Sequence, residues 1–146
     1  MATVELRFSA LPEHVRTARL VAAAVARRAG VDESVLDEVR LAVGEACSRA
    51  VGLHRRSGSD GAVRVALIEQ EKRFLIEVED EAGLRDGSDG APAADAGGTT
   101  GGGDSGDDEL GLAVITGLVE DVEVGKGSDG GVIRMSWPVS TAAVEV

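Results

Sequence analysis

Aromatic side chains are nearly absent from this chain of 146 residues, which has no tyrosine and only Phe8, Phe74 and Trp137 as aromatic residues. We therefore expect no exposed aromatic platform on which nucleic-acid bases could stack. Basic residues are also in the minority: 15 lysines and arginines face 26 acidic residues, and the formal net charge is −11. A protein of that sign repels polyanions, so we expect neither nucleic acid nor an anionic membrane as a direct partner.

Cysteine and long apolar runs are scarce as well. Cys47 is the only cysteine, so no intrachain disulfide can form, and its neighbours Ala46 and Ala50 predict a packed helix position for a small hydrophobic side chain. No apolar stretch reaches membrane-spanning length, and residues 1–12 lack the charged and apolar regions of a signal peptide. We therefore expect a cytoplasmic protein. Its length fits one domain over residues 1–146.

The spacing of apolar residues predicts both strands and helices. In chain order, the predicted elements are a strand over residues 4–8, a helix from Pro12 to Gly30, a helix from Asp32 to about Leu53, strands over 62–69 and 73–80, a helix over 110–119, and strands over 122–124 and 132–137. Strands that come mostly as hairpins, with helices grouped between them, predict an α+β fold. The expected architecture is a two-layer α/β sandwich with a mostly antiparallel sheet and helices on one face.

Residues 84–109 differ from the rest of the chain in composition. This segment of 26 residues contains eight glycines and seven acidic residues against one basic residue, Arg85, so it contributes −6 to the net charge of −11. Such a composition cannot supply a hydrophobic core. We expect a flexible Gly/Asp-rich insert within the single domain.

Three segments carry side chains suited to a binding site. Glu45 and Arg49 lie one turn apart on the second predicted helix, where the pair alone would also fit an ordinary helix-surface ion pair. Asp80 lies at the end of its predicted strand. Because alternate residues of a strand point to the same face, its side chain falls on the apolar face. His14 and His54 have no cysteine or second histidine at ligand spacing, so we expect no zinc-type site and predict surface positions for both.

The third segment begins with Leu110-Gly111-Leu112, and the order of all three resembles the nucleotide site of the GHKL (Bergerat-fold) ATPases. The resemblance is strongest to the partner-switching anti-sigma factor kinases. It implies that Glu45 is the general base, that Asp80 accepts a hydrogen bond from the adenine amino group, and that Arg49 occupies the place of an asparagine that ligates Mg²⁺. The nucleotide-contacting positions implied by the resemblance are Arg49, Asp80, Gly83, Leu110, Gly111 and Leu112.

Several residues depart from the family pattern. A guanidinium has no lone pair and a permanent positive charge, so Arg49 cannot ligate Mg²⁺. Ala82 and Leu84 stand at the two glycine positions of the family's Asp-x-Gly-x-Gly motif, and Glu109 replaces the glycine that precedes Leu110. ATP and Mg²⁺ are the cofactors that the family implies. Given these departures, we expect weak or lost ATP binding and less than full kinase activity.

The resemblance implies an anti-sigma factor that sequesters an alternative sigma factor and is released by a STAS-domain anti-anti-sigma factor. Arg19 matches an arginine on the partner-binding surface of the family's first helix, and Arg16 lies one turn earlier. The family also implies a homodimer.

Three other functions stay open from the sequence. The chain could be an active Mg·ATP-dependent kinase that phosphorylates a serine or threonine of the anti-anti-sigma factor, with Glu45 as its base. It could be a signalling kinase or the ATPase domain of a sensor, although no helix with a phospho-accepting histidine is visible. The cleft could also serve another small ligand.

Overall fold

An antiparallel sheet with helices packed on one face forms the described part of the chain. The structure is a computed structural model that describes residues 3–82, 111–127 and 130–139. The predicted insert over 84–109, together with Gly83 and Leu110, lies outside the described residues. The described elements are β1 (Thr3–Ser9), α1 (Pro12–Ala29), a 3-10 turn (Glu33–Val35), α2 (Leu36–Ser57), β2 (Ala62–Glu69), β3 (Arg73–Glu79), the helix α3 (residues 111–118), β4 (Asp121–Lys126) and β5 (Gly131–Pro138).

The five strands form one sheet in the order β1-β2-β3-β5-β4, and every neighbouring pair is antiparallel. β3 therefore pairs with the last strand, Ile76 opposite Met135, and β4 lies at the edge. This arrangement confirms the predicted α+β fold. It also brings the end of β3 next to the start of β5, where Asp80 is found.

The ends of α1 and α2 follow from local backbone chemistry. Pro12 begins α1, and Gly30 ends it with a left-handed φ of 106°, a conformation that favours glycine. Asp32 does not cap α2 as predicted, because its carboxylate accepts a hydrogen bond from Ser34 N at 2.9 Å and caps the 3-10 turn instead. Consequently α2 begins at Leu36, and it continues past the predicted end to Ser57. None of the described helices is both long and apolar enough to cross a membrane.

The core lies between the helices and the inner face of the sheet. Alternate residues of the central strands point inward and are fully buried, as in Phe74 and Ile76 of β3. Cys47 of α2 is also fully buried, and burial raises the pKa of its thiol to about 12. The predicted role of Cys47 as a packed hydrophobic residue agrees with this position. Trp137 of β5 donates a hydrogen bond from Nε1 to Glu38 Oε2 of α2 at 2.8 Å, which joins the two layers.

The outer face of the sheet carries a continuous chain of ion pairs, which we call the outer ladder. Arg64 of β2 contacts Glu5 of β1 at 2.9 Å and Glu79 of β3 at 3.0 Å. Arg64 also contacts Glu77 at 3.5 Å, and Arg134 of β5 joins Glu77 at 2.8 Å. Glu123 of β4 completes the ladder through Arg134 at 3.4 Å, so the ion pairs cross all five strands. These paired charges keep the helix-free face of the sheet polar.

Replacing Arg64 by methionine should lower the free energy of unfolding by about 1–3 kcal/mol, because it leaves partly buried glutamates without their cation. The Arg64 side chain is 24% exposed, and its partners Glu77 and Glu79 are 17% and 13% exposed. Urea denaturation monitored by circular dichroism measures the change. The control is Arg27→Ala, whose pair with Glu33 is 62% and 79% exposed and should contribute less than about 0.5 kcal/mol. Equal losses in the two variants would show that the ladder adds no stability of its own.

Candidate functional site

Glu45 lies beside the beginning of the described part of α3. Its side chain is half-buried on α2, and a Cβ built on Gly111 would lie 3.4 Å from Glu45 Oε1. A methyl group at position 111 would therefore touch the carboxylate at van der Waals distance, so Gly111 lies directly beside Glu45. The structure thus brings together two of the predicted site residues. Leu112, the next residue, is half-buried and packs against the core.

Arg49 lies one turn after Glu45 and is also half-buried. Its Nε–H is buried and has no hydrogen-bond acceptor among the residues that the structure describes. No ion pair joins Arg49 to Glu45 in the described part of the chain, so the helix-surface ion pair that the sequence would also fit is not formed. The site therefore contains a carboxylate and a guanidinium that do not neutralise each other by direct contact.

Asp80 forms a buried carboxylate where β3 ends, and its side chain is only 4% exposed. Its Oδ1 accepts hydrogen bonds from Ala82 N at 3.0 Å and from Gly131 N at 3.2 Å. Asp80 N in turn donates to Gly131 O at 3.0 Å. Oδ2 accepts no hydrogen bond from the residues that the structure describes. The carboxylate is therefore fixed through one oxygen, and the other remains an acceptor.

The close approach to Asp80 comes from the turn before β5. A Cβ on Gly130 would lie 2.4 Å from both the carbonyl oxygen and Oδ1 of Asp80, so only glycine fits there without displacing the backbone. A Cβ on Gly131 would lie 3.1 Å from Oδ2. The family pattern predicts glycines immediately after Asp80, where Ala82 stands. In the structure, glycines that approach this carboxylate come from a distant part of the chain.

His54 connects α2 to the exit of β3. Its side chain is 1% exposed, so the predicted surface position is wrong. Nε2 accepts a hydrogen bond from Glu81 N at 2.9 Å, and the ring is therefore the neutral tautomer with its hydrogen on Nδ1. Nδ1 is buried, and no residue in the described ranges forms a hydrogen bond with it. Through this single bond, the helix that carries Glu45 and Arg49 is tied to the residue that follows Asp80.

Every polar group of Glu81 forms a hydrogen bond. Its carbonyl accepts from Ser59 Oγ at 3.2 Å, and its two carboxylate oxygens accept from Ala62 N at 2.8 Å and from Arg7 at 3.0 Å. The hydrogen bond from Ala62 and the neighbouring guanidinium of Arg7 hold the pKa of Glu81 below its usual range. The backbone at the exit of β3 is therefore fixed by α2, by β1 and by the segment between α2 and β2. Such anchoring presents Asp80 in one orientation.

Arg16 and Arg19 lie elsewhere, on the exposed face of α1. Neither makes an ion pair among the described residues, whereas Arg27 and Arg28 near the end of the same helix pair with glutamates. The stem of Arg19 crosses α2 at Gly44, where an added Cβ would lie 2.7 Å from Arg19 Cδ. The absence of a side chain at Gly44 thus makes room for Arg19.

The described residues fit a nucleotide only in part. Asp80 offers a buried acceptor, and Glu45 lies beside Gly111 in the described part of α3, both of which are compatible with such a ligand. Mg²⁺ bound together with a nucleotide would lack a protein ligand at position 49, because the Arg49 guanidinium is a cation without a lone pair. The two remaining predicted contacts, Gly83 and Leu110, lie outside the described residues.

The burial of His54 and the pairing of Asp80 with Gly131 were not predicted from the sequence. A signal for His54 existed, because the apolar series Val39, Val43, Ala46 and Ala50 continues at the helical period to His54. No comparable signal existed for Gly131, because helical and strand periods do not indicate which strands become neighbours.

Replacing His54 by alanine should lower the free energy of unfolding by about 2–4 kcal/mol, because it leaves Glu81 N without its acceptor and opens a void in the core. Amide hydrogen exchange at Glu81 should accelerate together with this loss. The matched control is His14→Ala: His14 bonds Ser9 O at 3.0 Å near the surface, and its loss should cost about 1 kcal/mol. Slow exchange at Glu81 in His54→Ala would contradict the anchoring role.

The chain is similar in sequence and in fold to known proteins. The profile of the family described as "Histidine kinase-like ATPase domain" matches residues 8–137. The chain is 35% identical over 85 residues to "Serine-protein kinase RsbW" of Bacillus pumilus (strain SAFR-032), an alignment that covers 57% of this chain and 52% of the relative. It is 32% identical over 78 residues to "Serine-protein kinase RsbW" of Bacillus subtilis (strain 168), with 53% of this chain and 49% of the relative covered. The chain thus spans about half the length of these curated relatives.

The fold is similar to that in the crystal structure of the RsbU and RsbW domains of Rv1364c from Mycobacterium tuberculosis. The TM-score is 0.64 at 16% sequence identity, and the superposition covers 95% of this chain and 33% of the other. The sequence similarity to RsbW kinases supports the resemblance to partner-switching anti-sigma factor kinases. Because the family profile spans nearly all of the described elements, this chain belongs to the family of histidine kinase-like ATPase domains, the GHKL ATPases.

Proposed function

We propose that the protein is an anti-sigma factor that sequesters an alternative sigma factor and is released by a STAS-domain anti-anti-sigma factor. In this proposal it acts in the cytoplasm by stoichiometric binding, and Mg·ATP contributes weakly or not at all. The similarity to RsbW kinases supports the choice of partners. The observation that carries the binding mechanism is Arg49, a guanidinium whose Nε–H has no hydrogen-bond partner among the described residues and which stands where the family pattern has its metal ligand.

The chemistry of Arg49 opposes phosphoryl transfer through a metal. Such transfer relies on Mg²⁺ to bridge and neutralise phosphate oxygens. The Arg49 guanidinium at the ligand position is permanently charged, supplies no lone pair and repels Mg²⁺. Glu45 alone could accept a proton from a hydroxyl, but the charge that develops on the phosphate would lack its usual metal counter-ion.

The helical layer supports the binding role. α1 carries four arginines against one acidic residue, although the chain as a whole has a net charge of −11. Leu20 and Leu41 are 57% and 46% exposed on α1 and α2. Exposed leucines, together with Arg16 and Arg19, which form no ion pair with any described residue, suit a protein partner whose contact surface is acidic and partly apolar.

A second candidate is an active serine/threonine kinase that phosphorylates the anti-anti-sigma factor. The observation that favours it is the position of Glu45, whose Oε1 lies beside Gly111 in the described part of α3. Both candidates predict the same partners and differ in whether phosphate is transferred. We also propose a homodimer, for which the polar outer ladder favours contact through a sheet edge or the N-terminal elements.

One sample separates the two candidates. The purified protein is incubated with radiolabelled Mg·ATP and a candidate STAS-domain protein, and complex formation and phosphorylation are read from the same mixture. We expect a complex without phosphate transfer. Transfer to the STAS-domain protein would establish the kinase, and the lack of any complex with STAS-domain and sigma-factor candidates would contradict both proposals.

Replacing Arg19 by alanine should weaken sigma-factor binding by about tenfold or more, because arginines at protein interfaces are frequently energetic hot spots. Isothermal titration with purified alternative sigma factors of the source organism measures the affinity. Arg27→Ala provides the control on the same helix, since Arg27 is already paired with Glu33, and it should leave the affinity unchanged.

Gly44→Ala tests the same surface without removing a charge. The added Cβ at 2.7 Å from Arg19 Cδ displaces a flexible side chain, while alanine favours the helix and preserves the fold. Binding should fall although thermal stability is kept. If both Arg19→Ala and Gly44→Ala bind sigma factor as tightly as the natural chain, Arg19 is not in the interface.

A further inference from the structure

The strand β4 forms an edge of the sheet that no described strand covers. It pairs only with β5, so the backbone groups that face away from β5 have no strand partner among the described residues. Five of the six residues in Asp121–Lys126 are exposed, and only Val122 is half-buried. A free edge of this kind is a template on which another extended segment can pair.

The side chains of β4 differ between the two faces of the sheet. Asp121 and Glu123 point to the outer face, where they contact Arg73 and Arg134. Val124 lies on the inner face by alternation, yet it is 52% exposed because it stands at the edge of the sheet. A strand added to β4 would therefore meet carboxylates on one face and an apolar side chain on the other.

A hollow of about 450 Å³ lies against this edge. Asp121 and Glu123 line it from β4, and it is also lined by Leu75 and Ser136, which lie opposite each other on β3 and β5. Long basic side chains place their apolar stems along apolar surface while their charged ends stay in polar surroundings. The hollow therefore suits an arginine or lysine whose stem lies over Leu75 and whose cation reaches a carboxylate.

The carboxylates of β4 remain accessible to a further cation. The side chains of Asp121 and Glu123 are 59% and 77% exposed, and Glu123 contacts Arg134 only at 3.4 Å. Exposed ion pairs of this kind contribute little stability, so an incoming cation can share or replace them. Glu120 adds a third carboxylate to the wall of the hollow. This edge therefore favours a basic segment by charge complementarity.

The same charges disfavour a second copy of this chain at the edge. When two copies of β4 pair in antiparallel fashion within one continuous sheet, outer-face residues lie opposite outer-face residues. Asp121 and Glu123 would then lie near the same two residues of the other copy, and like charges on facing strands are destabilising. The occupant that the edge favours is therefore a different protein, basic where this chain is acidic.

We propose that the free edge of β4 docks an extended segment of a partner protein in which basic and apolar residues alternate. Its backbone extends the sheet beyond β4. Its basic residues reach Asp121 and Glu123 beside the hollow, and its apolar residues cover Val124, because alternate residues of a strand point to opposite faces. The surface contains none of the residues of the proposed α1 interface, so it does not depend on the proposed function.

Three capped hexapeptides test the proposal against the purified full chain. The first alternates arginine and valine, the second has three arginines followed by three valines, and the third is the alternating peptide with every backbone nitrogen methylated. The alternating peptide should bind with a dissociation constant below about 1 mM in calorimetry and shift the backbone amide resonances of residues 121–126 in NMR spectra. The second peptide lacks the alternation and the third lacks backbone donors, so both should bind at least about tenfold more weakly.

Three results of these titrations would overturn the proposal. They are equal affinities for the three peptides, resonance shifts confined to the helical layer, and the absence of binding at about 1 mM of the alternating peptide.

Glu123→Lys and Glu33→Lys form a matched pair of charge reversals. The two glutamates are 77% and 79% exposed, and each pairs with one arginine. Glu123→Lys should weaken binding of the alternating peptide by about tenfold or more, whereas Glu33→Lys should change it by less than about threefold. Glu123→Gln removes the charge without reversing it and should give an intermediate affinity. Equal losses in the two lysine variants would show that net charge alone attracts the peptide, against the proposal.

Sedimentation velocity on the natural chain and on Glu123→Lys tests whether a second copy occupies the edge. Both proteins should show the same oligomeric state, because the proposal leaves β4 outside any contact between copies. A dimer of the natural chain that dissociates in Glu123→Lys would assign the edge to a second copy and refute the proposal.

Discussion

The hydrogen bond from Glu81 N to His54 Nε2 joins the helix α2 to the end of the strand β3 beside the residues of the candidate site. It lies at 2.9 Å with the imidazole fully inside the protein, so water cannot substitute for either partner. On one side of it is α2, which carries Glu45 and Arg49. On the other side is Asp80, held at the exit of β3 through contacts with β5. The geometry of the cleft depends on this connection between a helix and a strand end.

The period of the sequence predicts much of this architecture because each strand and helix has one apolar face. The alternation through Phe74, Ile76 and Val78 placed Asp80 on the inner side of β3, and the structure finds it there. The chemistry of Arg49 could likewise be argued from its side chain alone. These features are local, and local patterns are what a sequence displays directly.

Other features depended on contacts between distant segments. β3 pairs with β5 and not with β4, so the approach of Gly130 to Asp80 joins residues about fifty positions apart. The Asp32 carboxylate could cap either a 3-10 turn or an α-helix, and only the arrangement of the backbone decides between them. The surface position predicted for His54 was wrong because the prediction considered only the polarity of its side chain. His54 lies on the buried face of α2 by the helical period, and Glu81 N supplies a hydrogen bond to its ring.

The buried thiol of Cys47 has a practical consequence. It is the only cysteine of the chain, it is fully enclosed by the core, and its high pKa keeps it protonated near neutral pH. Alkylating reagents therefore have no ready target in the folded protein. A cysteine introduced at an exposed site can be labelled selectively with a dye or spin probe while the native residue stays in place. Distances between such probes can then report motions of the helical layer in a protein whose core has not been altered.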